Sequence, residues 1–336
     1  MPTIKDIARA AGVSYTTVSH VLNNSRPVSA KVSQSVRDVA EALNYVPSDV
    51  ARALRRRTTG TIGMLLANTA DPFFAQLISA VEEVCFQNQI SLLLCNSYED
   101  SARQETHIRS LLQKRVDGLL ISAVGDFTAL AQQLRNASVP VVFVDRIPPD
   151  LEADAVTVDH ERAGYEATRY LLELGHRYIG CIAAPSRISV VPPRVAGYRR
   201  ALQEARIEPR SHWTAEAVDL TLESGYTATE CLLKQSPGLT AIFALTDLLA
   251  IGALRYAYRC RISVPGALSI IGFDGVELGR YVLPALTSIG QPIQELGALA
   301  ATYLLERIRG SQHGLSRRIM LPPELIVRGS TGQAPS

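Results

Sequence analysis

The sequence predicts an α/β protein built from a small all-helical headpiece and a two-lobed core of parallel sheets, and three observations point there. Residues 3–54 carry apolar side chains at helical spacing and no strand pattern. From Thr61 onward, near-continuous apolar runs alternate with amphipathic segments, the pattern of buried parallel strands joined through helices. That alternation comes as two similar series, which implies two lobes with a cleft between them.

The elements follow in order. Ile4, Ile7, Ala8 and Ala11 lie on one helical face, Gly12 supplies a corner tolerant of positive φ, and Ser14 can N-cap a second helix with the inner face Val18, Val21 and Leu22. Two short helices meeting at a tight angle are a helix-turn-helix. The second helix's outward face opens with Tyr15, Thr16 and Thr17 and continues to His20, side chains able to meet base edges. After the polar loop Asn23–Pro27, Val32, Val36, Val39, Ala40 and Leu43 define a third amphipathic helix capped by Ser29. Asn44–Pro47 ends it. Residues 48–54 then read as one more short helix, N-capped by Ser48 and running into Arg55, Arg56 and Arg57. Such a segment is shorter than the roughly 12 to 15 residues an isolated helix needs, so it folds only against a partner; a plain basic linker is the alternative.

In the core, strands are expected at 61–67, 90–95, 116–121 and 139–145, with helices near 73–88, 102–114 and 127–136 between them. The second series has strands at 155–158, 178–182, 240–245 and 268–274, and helices near 160–175, 194–205, 224–235 and from Asp247. Ligands of open α/β sheets bind beyond the carboxyl ends of strands, which here carry Asn68, Asn96, Asp145, Asp247 and Asp274.

Composition narrows the function. The 34 Lys and Arg nearly balance 32 Asp and Glu, yet residues 1–60 hold nine basic against four acidic side chains, so the helical part is the basic part. Cys85, Cys95, Cys181, Cys231 and Cys260 are odd in number and scattered, which suggests neither a disulfide framework nor a zinc site and fits a reducing cytoplasm. No secretory h-region and no apolar run of membrane-spanning length is present, so no membrane partner is expected. Phosphate-binding glycine loops, a Gly-x-Ser-x-Gly elbow and a His-Glu-x-x-His helix are all missing, and the six histidines stand apart. Neither an enzyme, nor a metal site, nor a cofactor is expected.

The motifs Thr3-Ile-Lys-Asp-Ile-Ala8, Ala11-Gly-Val-Ser14, Thr17-Val-Ser-His-Val-Leu-Asn23 and Ala51-Arg-Ala-Leu54 closely resemble those of the lactose/galactose repressor family. The resemblance continues through Asp71-Pro-Phe-Phe74, Gln113-Lys-Arg-Val-Asp-Gly-Leu119, Leu174-Gly-His-Arg177, Arg194-Val-Ala-Gly-Tyr198, Ile271-Gly-Phe-Asp274 and Pro284–Pro292, and is strongest toward the purine and ribose repressors. It implies a headpiece at 1–46, a hinge helix and linker at 47–60, a core at 61–330 like a periplasmic sugar-binding protein, and a tail at 331–336. The first lobe would comprise about 61–159 and 291–319, the second about 160–290 and 320–330. The implied function is a cytoplasmic, ligand-responsive regulator, most simply a repressor, that binds palindromic operator DNA as a homodimer. A bare solute-binding protein is the remote alternative. The last residues hold no leucine heptads, so a tetramer of the lactose-repressor kind is not expected.

By the same resemblance Tyr15, Thr16 and His20 read the major groove, Thr17 and Arg26 meet backbone or flanking bases, and Leu54 wedges into the minor groove with Arg55 beside it. The plainer alternative has Tyr15 and Thr17 only capping and packing. For the effector, Asp274, Arg194 and Gln291 match positions that hydrogen-bond sugars, and Phe73 and Phe74 would form an aromatic wall. Asp274 could instead cap a loop, Arg194 pair with a carboxylate, and the phenylalanines belong to the core. Asp145 stands at a strand end, and Arg146 after it could face an anionic ligand or solvent. Ile188, Val190 and Leu220 replace the groups with which the purine repressor holds its base, and Thr246 replaces a family asparagine. A purine is therefore disfavoured and a small sugar-like effector expected, with a sugar acid, sugar phosphate or nucleoside corepressor as the alternative.

Overall fold

The structure, a computed structural model, describes residues 2–23, 26–45, 58–125, 127–135, 137, 139–148, 151–312 and 314–335. The chain divides into two compact units, residues 1–59 and 60–336.

Among the described residues the first unit has three helices: α1 (Ile4–Ala10), α2 (Tyr15–Asn23) and α3 (Ala30–Ala42). A capping box starts α1, in which the Thr3 hydroxyl accepts the Asp6 N–H at 3.4 Å and the Asp6 carboxylate accepts the Thr3 N–H at 2.8 Å. Gly12 turns the chain with φ +66°, and Ser14 Oγ accepts the Thr17 N–H at 3.0 Å to begin α2. These local bonds set the angle at which Ile7, Val18, Val21, Val36 and Ala40 meet in one buried core. Two expectations are corrected. Ser29 stands at the N-cap of α3 without a side-chain cap bond. Leu43 is the C-cap and is exposed, because the chain reverses at Asn44 (φ 48°) and packs Tyr45 against the core in its place. The expected helix at 48–54, with Leu54 and Arg55, lies outside the described residues.

The second unit opens with β1 (Thr61–Leu66), α4 (Pro72–Gln87), β2 (Ser91–Asn96), α5 (Ser101–Gln113), β3 (Gly118–Ile121), α6 (Phe127–Arg135), β4 (Val141–Val144) and β5 (Asp154–Val158). At Asp159 the chain crosses to a second lobe. There it forms α7 (His160–Glu173), β6 (Ile179–Ala183), α8 (Val191–Glu204), β7 (Thr214–Glu216), α9 (Leu222–Gln235), β8 (Ala241–Ala244), α10 (Asp247–Arg259), β9 (Ser269–Asp274) and β10 (Thr287–Gly290). It returns with α11 (Ile293–Ile308) and β11 (Arg318–Leu321) and crosses again to β12 (Glu324–Ile326). The sheet orders are β11-β5-β4-β3-β1-β2 and β12-β10-β9-β8-β6-β7, parallel throughout except β12 against β10. The last crossing thus falls at 322–323, a few residues later than the sequence suggests. Residues 331–334, read from sequence as a tail, are bound to the second lobe: Thr331 Oγ1 lies 3.1 Å from the Tyr170 hydroxyl, and the Ala334 N–H donates to Leu174 O at 2.9 Å.

Buried strands explain why each lobe needs helices on both faces. All of β3, β6, β8, β9 and β10 is buried, so neither side of those strands is left for water. One close helix contact matters for the site. A Cβ at Gly164 would come 2.2 Å from Arg194 O, and one at Gly197 would come 2.0 Å from Glu161 O. Glycine at both positions lets α7 and α8 touch backbone to backbone, which sets Arg194 beside His160.

Candidate functional site

The carboxyl ends of β4 and β9 carry aspartates in left-handed conformations, Asp145 with φ +65° and Asp274 with φ +111°. Each such non-glycine residue costs about 1–3 kcal/mol and persists only where its surroundings hold it. Here three helix starts surround them. Asp71 N-caps α4, accepting the Phe73 N–H at 2.9 Å, and Phe73 and Phe74 behind it are buried edge to face at 5.1 Å. His160 begins α7. Pro192 and Pro193 are tolerated in the first turn of α8, where backbone donors lack intrahelical partners, and Arg194 follows them.

Arg194 is the hub. It donates through Nη1 to Leu245 O at 2.6 Å and through Nε to His160 Nδ1 at 3.3 Å, stacks 3.5 Å over the Phe273 ring, and holds Nη2 3.7 Å from Asp274 Oδ1. Gln291 donates to that same Asp274 oxygen at 2.8 Å. Because His160 Nδ1 accepts, its proton sits on Nε2, which faces Asp145 Oδ1 at 3.8 Å, beyond hydrogen-bond reach. A chain of polar groups therefore runs from Asp145 on the first lobe to Asp274 on the second.

Arg146 is not the surface arginine of the plainer sequence reading: it lines a cavity and is buried. Its side chain is 4% exposed and donates through Nη1 to Glu99 Oε2 at 2.7 Å, with Nε 3.6 Å from Asp145 Oδ2. It faces no open solvent and is paired in advance.

Burial dominates the electrostatics. It pushes the carboxyls of Asp71, Asp145 and Asp274 above the ordinary range, opposed by Arg146 and Arg194 for Asp145 and by Arg194 for Asp274. Burial also holds the His160 imidazole well below its usual value, with Arg194 adding to the effect, so the ring is neutral near pH 7. Burial lowers Arg194, while for Arg146 the opposing pull of Glu99 prevails and raises it.

A cavity of about 350 Å³ opens on this cluster, lined by Asp145, Arg146, His160, Ser189, Val190 and Pro193 among others. Asp145 Oδ1, Arg146 Nε, His160 Nε2 and Ser189 Oγ are buried and lack hydrogen-bond partners, as are Ser122 Oγ and Gln291 Oε1 nearby in the same unit. Buried polar atoms left unpaired cost about 1–3 kcal/mol each, so so many together mark a place built for a bound molecule. A larger hollow of about 640 Å³ lies beside Asp154 and Arg307. There the carboxylate already takes bidentate bonds from Arg307 and Arg317, which hold it down at about 2, and it offers no unpaired group.

Three of the residues singled out from sequence are engaged within the second lobe. Leu220 is half-buried against the second lobe's core clusters. Thr246 is engaged as the N-cap of α10, its hydroxyl accepting the Leu249 N–H at 3.2 Å. Asp247 turns away into the fold, accepting from Ser288 Oγ at 2.6 Å and the Val276 N–H at 2.8 Å, and burial lifts its carboxyl to about 7. Sequence reasoning missed Glu99, His160 and Ser189. The strand-end rule that found Asp145 could have found His160, two residues beyond β5; nothing local announces Glu99.

On the helical unit Tyr15 is 55% exposed and Thr16 exposed, while Thr17 and His20 are half-buried. The Thr17 hydroxyl lies 2.8 Å from Ser14 Oγ, so it takes part in the cap. Arg26 is exposed. Among the described residues no helix is long and apolar enough to cross a membrane, and no group of three His, Cys, Asp or Glu could hold a metal ion.

Comparison with known proteins matches residues 3–48 to the family model "Bacterial regulatory proteins, lacI family" and residues 59–327 to "Periplasmic binding proteins and sugar binding domain of LacI family". The chain is 40% identical over 330 residues to the ribose operon repressor of Haemophilus influenzae, covering 98% of each. It is 39% identical over 332 residues to the HTH-type transcriptional repressor PurR of Aliivibrio salmonicida, covering 98% of this chain and 99% of that one. Among solved structures, the lac repressor dimer bound to operator and an anti-inducer superposes with a TM-score of 0.88 at 29% identity, over 98% of this chain and 99% of the other.

Proposed function

The chain belongs to the lacI family of bacterial regulatory proteins, and from that premise we propose that it is a repressor whose helical unit reads a palindromic operator as a homodimer while its two-lobed unit binds a small sugar-like effector. It is a ligand-responsive DNA-binding regulator and not an enzyme, as its repressor relatives are. Such a protein acts in the cytoplasm, where the chromosome is.

The observation that carries the effector reading is the set of unpaired buried polar atoms at the 350 Å³ cavity, contributed by both lobes: Asp145 and Arg146 by the first, His160 and Ser189 by the second. A ligand bound there bonds to groups of both lobes at once and favours one lobe arrangement over another, and by linkage operator and ligand then change each other's affinity. Asp145, Arg146, Arg194, Asp274 and Gln291 are the proposed contacts, with Phe73 and Phe74 as the buried wall behind Asp71. Exposed Tyr15 and Thr16, with His20, are the proposed base readers, Thr17 and Arg26 the flanking contacts, and Leu54 with Arg55 the minor-groove wedge. Large exposed apolar groups on the two-lobed unit, Phe86 and Leu94 on the first lobe and Tyr258, Tyr281 and Leu283 on the second, support a homodimer contact.

The test has two arms. Selection of operator DNA from a random pool should return a palindrome, and Thr16→Ala should relax its sequence preference; a non-palindromic or unchanged preference refutes the DNA assignment. A thermal-shift screen with pentoses, hexoses and nucleosides should yield a compound that both stabilises the two-lobed unit and changes operator affinity. Loss of that response in Arg194→Met is the required outcome.

A further inference from the structure

We propose that Glu99 sets the charge preference of the cleft: by holding Arg146 it makes the site reject anionic compounds and take an uncharged polyhydroxy ligand. The proposal rests on the effector reading of the cleft and adds the ligand's charge class and the residue that decides it.

The loop after β2 is shaped to deliver this carboxylate. Tyr98 and Glu99 are consecutive left-handed residues, φ +53° and +59°. They are held by Asn96 Oδ1 accepting the Tyr98 N–H at 3.1 Å, by the Glu99 N–H donating to Ala67 O at 3.2 Å, and by Asp100 capping α5. The result is the 2.7 Å pair between Glu99 and a buried Arg146 whose other near carboxylate is Asp145. Arg194 is equally engaged, with Leu245 O, His160 and Asp274. Arg318, which also lines the cavity, donates to Leu151 O. Against these cations stand Asp71, Glu99, Asp145 and Asp274, while His160 is neutral. An added anion meets an excess of carboxylate, and every guanidinium there already has a carboxylate or carbonyl partner.

The unpaired atoms on the cavity ask for the opposite chemistry. Arg146 Nε and His160 Nε2 donate, Asp145 Oδ1 accepts, and Ser189 Oγ does either. A hydroxyl donates and accepts, so adjacent hydroxyls satisfy the whole set. A carboxylate or a fully ionised phosphate ester group only accepts, and its charge would be repelled by Asp145, whose Oδ1 it leaves unpaired.

Glu99→Gln keeps an acceptor for Arg146 and removes the charge. Its binding of inorganic phosphate at low millimolar concentration, measured on the full chain by calorimetry at constant ionic strength, should be at least tenfold tighter than in wild type. That gain should vanish in Glu99→Gln combined with Arg146→Met. Equal phosphate binding in wild type and Glu99→Gln, or a gain that survives in the double variant, overturns the proposal; Glu99→Ala repeats the test should Glu99→Gln fail to fold. Matched pentoses and hexoses and their phosphate esters are titrated alongside. Wild type should favour the free sugar, and tighter binding of the ester refutes the charge preference. If no free sugar binds, the effector reading and the polyol preference both fail, while the phosphate comparison still decides the role of Glu99.

Discussion

Replacing Gly197 with alanine should both destabilise the two-lobed unit and weaken its ligand response. The added Cβ would lie 2.0 Å from Glu161 O and 2.5 Å from Tyr165 N, whereas ordinary contact begins near 3.4 Å. Both obstructing atoms are main chain, so no rotamer change relieves them and α7 must move away from α8 by on the order of 1 Å. Overpacking of this kind costs about 1–3 kcal/mol. Alanine returns up to about 1 kcal/mol through helix propensity, and the rigid obstruction puts the cost at the upper end. The net expectation is about 2 kcal/mol, roughly 4–8 °C in melting temperature for a unit of this size. The 3.3 Å bond from Arg194 to His160 crosses that same helix contact and cannot survive such a separation. Stabilisation by any cleft ligand should therefore fall further than global stability does. Urea unfolding of wild type and Gly197→Ala, with thermal melts with and without ligand, reads both effects. An unchanged midpoint, or a lowered midpoint with full ligand stabilisation, would refute the claim that this glycine contact positions Arg194.

Two further outcomes follow. Thr3→Ala should destabilise the helical unit by about 1 kcal/mol, because it removes a capping box, whereas Ser29→Ala should change it by only a few tenths, because Ser29 makes no side-chain cap bond; hydrogen exchange of headpiece amides in the full chain distinguishes the two. His160 has a pH signature: burial keeps the folded imidazole well below 6.5, so the unfolded chain takes the proton first as pH falls. Stability tied to His160 is then present above about pH 6.5 and lost below it, by up to about 1.4 kcal/mol per pH unit. His160→Gln lacks that loss, so the stability advantage of wild type over it should narrow between pH 7 and pH 5. Asp145, Arg146 and Arg194 face the ring, and a constant difference across that range would mean that the folded ring takes its proton as readily as the unfolded one, refuting the burial argument.

What was legible in the sequence was local or periodic. Ile7, Val18 and Val21 announce the helix-turn-helix because helical spacing alone puts them on one face, and the apolar runs at β1, β3, β6 and β9 announce parallel sheets because a strand buried on both sides has no polar face to show. Asp145 and Asp274 were legible as a site for a related reason: strand ends are where such sheets bind ligands. The short strands β7, β11 and β12 have mostly exposed or half-buried residues and apolar runs too short to mark them. Tertiary structure alone decided the state of each group in the cleft. Residues 47 positions apart in the chain, Glu99 and Arg146, become an ion pair only when the fold brings the loop after β2 to the residue following the end of β4. Thr246 and Asp247 look in sequence like Asp145, polar groups at a strand end, yet capping and burial within the fold withdraw them. Spacing encodes which face a side chain takes, since that depends on backbone geometry a few residues long. Charge state and availability depend on partners that the chain supplies from elsewhere.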